Sequence, residues 1–155
     1  MTRILFVCLG NICRSPMAEF VFRDLVQKRG LGERFSVSSA ATSAEEVGNP
    51  VHPGTRNRLS REGISTRGKT AVQLTKGDYR RYDYLVGMEQ RNIGNMLRIL
   101  GGDPQGKVRR LLDFSQEPRD IADPWYTGNF ERTYDDILEG CEALLAHILQ
   151  AEASA

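Results

Sequence analysis

Cys8 and Arg14 stand six positions apart in V-C-L-G-N-I-C-R-S-P, Val7 to Pro16, and that pair could attack phosphorus. A guanidinium holds two oxygens of a phosphate bidentately. Gly10 and Asn11 are the residue types that most readily take positive φ, so the loop can curl its own N–H groups toward one centre. Ser15 reads as an N-cap and Pro16 as a first helical residue. Together they bring a helix N-terminus, with unpaired amides and a positive dipole end, to the same spot. Such surroundings hold a cysteine as thiolate in preference to thiol, and Ser15 can add a hydroxyl hydrogen bond to the sulfur. A thiolate inside an anion-sized cradle is a nucleophile aimed at phosphorus. Competing readings explain less. A Walker-type nucleotide loop needs a lysine and a second glycine that are missing here. Zinc needs a second ligand cluster, but His52 and His147 stand alone, and Cys141 and His147 would lie on different helical faces. A strand-end cysteine buried only for packing accounts for neither Gly10-Asn11 nor Ser15-Pro16.

Cleaving a phosphate monoester also needs a proton for the departing oxygen. Asp123-Pro124-Trp125-Tyr126 offers a carboxyl whose direction the proline restricts and whose proton apolar neighbours help retain. Spacing alone leaves this open, because an Asp-Pro turn with an exposed carboxylate uses the same residues. Trp125 likewise reads either as a cleft wall that stacks on an aromatic leaving group or as core.

These residues need a frame. Ile4 to Val7 is a continuous apolar, β-rich run, as in a strand buried on both faces of a parallel sheet. After the loop, Ala18, Val21, Phe22 and Leu25 recur with helical period, so a helix is predicted from Pro16 to about Arg29, ended by Gly30. Phe35 to Ala40 reads as a second strand, Thr42 to Thr55 as a loop and Arg56 to Glu62 as a short helix. Tyr82 to Met88 reads as a third strand, Glu89 to Leu100 as a helix and Val108 to Leu112 as a fourth strand. Tyr134, Ile137, Leu138, Cys141, Leu144, Leu145 and Ile148 then keep helical period for four turns, which places Cys141 in a core stripe. Strands alternating with helices predict an α/β fold: one domain over residues 1–155, a Rossmann-like sandwich with a four-stranded parallel sheet flanked by helices.

Composition narrows the setting. The chain of 155 residues is 40% hydrophobic and 26% charged, ordinary values for one folded domain. The longest apolar run, Ile4 to Leu9, is too short for a membrane span or a secretory leader, so the mature chain is expected to begin at Met1. Three cysteines without a leader predict a reducing, cytoplasmic setting. A net charge of +1 predicts no nucleic-acid or membrane partner. Charge is nonetheless uneven. Arg56 to Arg81 holds eight basic residues against two acids, and Glu131 onward holds six acids against one arginine. Either these are solvated faces, or the basic run rims a site for anions.

The string Cys8-Leu9-Gly10-Asn11-Ile12-Cys13-Arg14-Ser15-Pro16 closely resembles the signature of the low-molecular-weight protein tyrosine phosphatases. The resemblance continues through Ser39-Ala40-Ala41-Thr42-Ser43, Gly48-Asn49-Pro50 and Asp123-Pro124-Trp125-Tyr126, and spans nearly the whole chain. It implies hydrolysis of phosphotyrosine and aryl phosphates through a cysteinyl phosphate, with Cys8 as nucleophile, Leu9 to Ser15 as the phosphate loop and Asp123 as general acid and base. No metal or cofactor enters. It further implies that Asn11, Ser15 and Ser39 support the loop, that Trp125 and Tyr126 wall the cleft, and that Cys13 is a redox partner for Cys8. Cys13 as a small packing residue is the alternative. Ile12 sits where the related protein-arginine phosphatases resemble threonine, which favours tyrosine. The implied partners are tyrosine-phosphorylated proteins or peptides, with phosphate, vanadate or sulfate as loop-bound anions. A monomer with weak self-association at most is expected.

The chain departs from the family pattern at two places. Ala44-Glu45-Glu46 replaces an aromatic, so Glu45 makes one wall of the mouth acidic. Gly68-Lys69-Thr70 stands where many members carry a loop-supporting histidine, leaving Lys69 to replace that contact or the support to be missing. Arsenate reduction on the same loop needs two relay cysteines, and Cys141 alone is left for that role. A phosphate-binding module without turnover is the non-enzymatic alternative, disfavoured by Cys8, Arg14 and Asp123 occurring together.

Overall fold

The computed structural model describes all residues, Met1–Ala155. Four strands, β1 (Thr2–Cys8), β2 (Phe35–Ala41), β3 (Tyr84–Gly87) and β4 (Val108–Arg110), form a sheet in the order β2-β1-β3-β4. Every pairing is parallel. Six helices accompany them: α1 (Arg14–Lys28), α2 (Pro53–Ser60), α3 (Asp78–Arg81), α4 (Gln90–Leu100), α5 (Pro124–Thr127) and α6 (Phe130–Ala153). The fold is the α/β sandwich expected from the alternating pattern, with no helix long and apolar enough to cross a membrane.

β1 is central, and strand geometry splits its side chains between two cores. Ile4 and Phe6 pack with Met17, Val21 and Phe22 of α1 and Ile137, Leu144 and Leu145 of α6. Leu5 and Val7 pack on the other face with Leu85, Met96 and Leu100. Cys141 lies in the first core, fully buried. Because β1 is buried on both faces, its carboxyl end is held firmly, and Cys8 is its last residue.

Several boundaries differ from the sequence expectation for identifiable reasons. α1 begins at Arg14, not Pro16, and its N-cap is Cys13, which makes no side-chain cap bond. Ser15 is therefore inside the helix, and its N–H, an orphan of the first turn, donates to Cys8 Sγ at 3.4 Å. α2 starts at Pro53, three residues early, because His52 caps it. β3 starts at Tyr84, since Asp83 turns away to pair with the backbone of Arg3. β4 stops at Arg110, and Leu111 and Leu112 bury in a 3₁₀ turn (Leu111–Phe114). α6 is longer than its apolar stripe at both ends, capped by Asn129.

Candidate active site

The carboxyl ends of β1 and β3 open on one side of the sheet, where ligands of such folds bind. Between β1 and α1 the loop folds back on the Cys8 sulfur. Sγ accepts from the N–H groups of Asn11 at 3.3 Å and Ser15 at 3.4 Å, and the Ser15 hydroxyl lies 3.0 Å away. The turn needs one left-handed residue. Asn11 supplies it at φ 57°, the only non-glycine with positive φ, whereas Gly10 does not take that conformation. Gly10 instead lies close to Glu46, whose Cγ would sit 3.4 Å from a Cβ added there.

The Asn11 side chain, almost fully buried, then ties the loop to its surroundings. Its amide donates to Ser15 Oγ at 2.8 Å and Ser39 Oγ at 2.9 Å, and its carbonyl accepts from Val72 N at 3.1 Å. Ser39 donates to Glu19 at 2.6 Å. Since Ser15 Oγ already accepts from Asn11, its own hydrogen is free for the sulfur, nearer at 3.0 Å than Ala40 O at 3.4 Å. Three donors thus converge on Sγ, an arrangement suited to an anionic sulfur.

Lys69 reaches this network from outside. Its Nζ donates to Ser39 O at 3.0 Å and lies 3.8 Å from Glu19, which Arg23 also pairs at 2.7 Å. Burial lowers the Lys69 pKa, with Glu19 opposing that shift. Of the two alternatives left by the sequence, a contact to the supporting strand is the one observed.

Arg14 is buried, with 1% of its surface exposed. Its Nη1 donates to Glu89 and, at 2.9 Å, to Ile121 O, and its Nη2 lies 3.3 Å from Asp123. Nε is buried without a partner. Glu89 was not anticipated. It stands just past β3 at the N-cap position of α4, where its backbone N–H donates to Asn92 Oδ1 at 3.1 Å, and its place at a parallel strand's carboxyl end was the available signal. Asp123 caps α5, accepting from Trp125 N at 3.0 Å through Oδ1 while Oδ2 faces Arg14. Two bonds therefore set its direction.

Cys8, Leu9, Gly10, Ile12, Cys13, Arg14, Glu45, Asp123, Trp125 and Tyr126 line one cavity of about 140 Å³, with Ser43 and Glu46 completing it. Asn11 and Ser15, although part of the loop, and Ser39 do not line the cavity. Trp125 is 57% exposed and Tyr126 77%, so neither is a core residue. Burial, with Cys8 and Asp123 adding to it against Arg14, pushes the Cys13 thiol up to about 12. All three cysteines are free thiols. No group of three or more His, Cys, Asp or Glu is gathered to hold a metal ion. The basic run disperses: Arg58 is buried against Glu62 and Glu131, and Arg81 pairs with Asp78. Of that run, no residue lines this cavity.

Known proteins resemble this chain in sequence and in fold. The chain is 46% identical over 150 residues to the low molecular weight protein-tyrosine-phosphatase YfkJ of Bacillus subtilis, covering 96% of each chain. The crystal structure of YfkJ superimposes with a TM-score of 0.94 over 97% of this chain and 96% of that one. The protein-tyrosine-phosphatase PtpA of Staphylococcus aureus is 37% identical over 151 residues, 97% of this chain and 96% of PtpA. DARP, a drosophila arginine phosphatase, superimposes with a TM-score of 0.84 at 32% identity, over 96% and 98% of the two chains. The sequence model for low molecular weight phosphotyrosine protein phosphatase matches residues 3–154, and with a fold and cavity of this kind the chain belongs to that family.

Proposed function

We propose that the chain hydrolyses phosphotyrosine and other aryl phosphate monoesters through a cysteinyl-phosphate intermediate. The observation that carries this reading is the convergence of Cys8, Arg14 and Asp123 on one small cavity. Cys8 attacks phosphorus in line, forming an S–P bond as the bond to the aryl oxygen breaks. Arg14 and the loop N–H groups stabilise the equatorial oxygens, and a phosphate oxygen would give the orphaned Arg14 Nε its partner. Asp123 donates its proton to the leaving oxygen, a contribution of about 10²–10⁴-fold for a positioned acid. Water then attacks phosphorus, Asp123 takes its proton, and the S–P bond breaks to return the thiolate and inorganic phosphate. As written, the reaction uses no metal or cofactor.

Trp125 and Tyr126 give the leaving group an aromatic surface, and Glu45 adds an acidic edge. Ile12 offers no hydroxyl to the cavity, which favours phosphotyrosine over phosphoarginine. The partners are tyrosine-phosphorylated proteins or peptides in the cytoplasm, where the three thiols stay reduced; phosphate, vanadate and sulfate compete for the loop, and the working form is a monomer. Cys13 protects the nucleophile: after oxidation of Cys8 to the sulfenic acid, the Cys13 thiol condenses with it, releasing water and forming a disulfide. Peroxide followed by thiol should restore activity in the wild type and far less in Cys13→Ser; equal recovery refutes that role. The function itself is tested by hydrolysis of phosphotyrosine and phosphoarginine peptides with chelator present. Faster turnover of phosphotyrosine supports the reading, a phosphoarginine preference overturns the role of Ile12, and no turnover of either overturns the enzyme.

A further inference from the structure

His52 takes no part in the chemistry above, yet it joins three elements around the cavity's aromatic side. Its backbone N–H donates to Ile12 O of the phosphate loop at 2.9 Å. Its Nδ1 accepts from Gly54 N at 2.9 Å, capping α2 and leaving the ring proton on Nε2. The ring stacks on Phe130, the first residue of α6, with centroids 5.1 Å apart and planes at 19°. Its other contact is with Trp125, edge on, at 5.6 Å and 77°.

This column is closely packed. Phe130 packs against Ile12, Cys13 and Ala71, and Gly54 carries no Cβ because one would overlap the Phe130 ring. Trp125 has the opposite character. It is 57% exposed, and its one hydrogen bond is made by its backbone, to Asp123. The orientation of its indole is therefore left to packing, and His52 is its ring partner. Asn, Asp, Ser or Thr would cap α2 at least as well; none of them has a ring to present to Trp125.

Resting on the phosphatase reading, we propose that His52 is a positioning residue for substrate specificity. Its imidazole, clamped between Phe130 and the α2 cap, holds the Trp125 indole as a preset wall for an aromatic leaving group. The residue acts through Trp125 and touches no reacting atom.

Two variants separate ring from cap. His52→Asn keeps the cap and removes the ring, whereas His52→Phe keeps a ring and removes the cap. In His52→Asn the KM for an aryl phosphate should rise about three- to ten-fold, the worth of one aromatic pair, with kcat within about two-fold. Inhibition by inorganic phosphate, which has no ring, should be unchanged. Trp125 is the only tryptophan, so its emission reports the wall directly and should shift to the red in His52→Asn. His52→Phe should restore both KM and emission. A wild-type aryl KM in His52→Asn, or equal weakening of aryl phosphate and inorganic phosphate, overturns the proposal. If the wild type turns over no phosphate ester, the phosphatase reading fails by itself; unchanged Trp125 emission in His52→Asn overturns the positioning role whatever the turnover.

Discussion

Replacing Asn11 by alanine should cost about 3–5 kcal/mol of stability, a large share of the roughly 5–15 kcal/mol that holds a domain folded. The side chain makes three hydrogen bonds, to Ser15, Ser39 and Val72. Losing these three bonds costs about 1 kcal/mol each. Alanine at φ 57° adds about 1–2 kcal/mol of left-handed strain, and overlap among these terms sets the lower end of the stated range. The effect on chemistry is separate. Without Asn11 the Ser15 hydroxyl is no longer turned toward Cys8, and loss of one aimed donor should lower kcat about 10–100-fold. Urea unfolding gives the first quantity and turnover of an aryl phosphate the second. Asn11→Gly removes the same bonds without the strain, so it should be the more stable of the two by about 1 kcal/mol. Stability within about 1 kcal/mol of wild type in Asn11→Ala, together with an unchanged kcat, would refute the network as the loop's support.

Other sites give independent tests. Glu89→Gln removes one of the two carboxylates that hold Arg14 and should lower kcat about tenfold with the fold intact by circular dichroism; an unchanged kcat would show that Ile121 and Asp123 suffice. Gly54→Ala pushes a methyl into the Phe130 ring and should destabilise by about 1–3 kcal/mol in thermal melts, where a neutral result would mean that α2 shifts freely. Cys13, raised from 9.0 to about 12 in the folded state, stabilises the fold only while neutral. That contribution is complete below about pH 9 and is lost as pH climbs toward 12, so Cys13→Ala should flatten the alkaline limb of a stability profile; parallel limbs would contradict it. All three cysteines are buried, but the Cys13 and Cys141 thiols are pushed up by burial whereas the Cys8 sulfur faces three donors. Iodoacetamide at neutral pH should therefore modify Cys8 ahead of the other two, as peptide mapping would report.

What could be read from the chain, and what could not, follows from distance in sequence. Cys8 to Ser15 was legible because one contiguous loop carries its own conformational needs, with a residue tolerant of positive φ at its turn. The alternating apolar patterns exposed the sheet and the long helices for the same local reason. Ser15 was misread as a cap because a Ser-Pro pair looks alike whether its N–H is satisfied by its own side chain or, as here, by the sulfur of Cys8. α3 and α5 span four residues each, less than the period needed to show a face. Glu89 and the choice between the two readings of Lys69 depend on which strand ends the sheet order brings together, and no local spacing records that. Trp125 was ambiguous between wall and core, since an aromatic beside a proline suits both until burial is known.

The central claim is a covalent phosphoryl group on Cys8, and trapping it is the most direct test. With a nitrophenyl phosphate the leaving oxygen needs little protonation, so Asp123→Asn should still form the intermediate but lack the base that activates water. Acid quench of that variant during turnover, followed by intact mass and peptide mapping, should find one phosphoryl group on Cys8 and none in Cys8→Ser carrying the same Asp123→Asn change. A phosphoryl group on another residue, or full turnover by Cys8→Ser, would contradict the account.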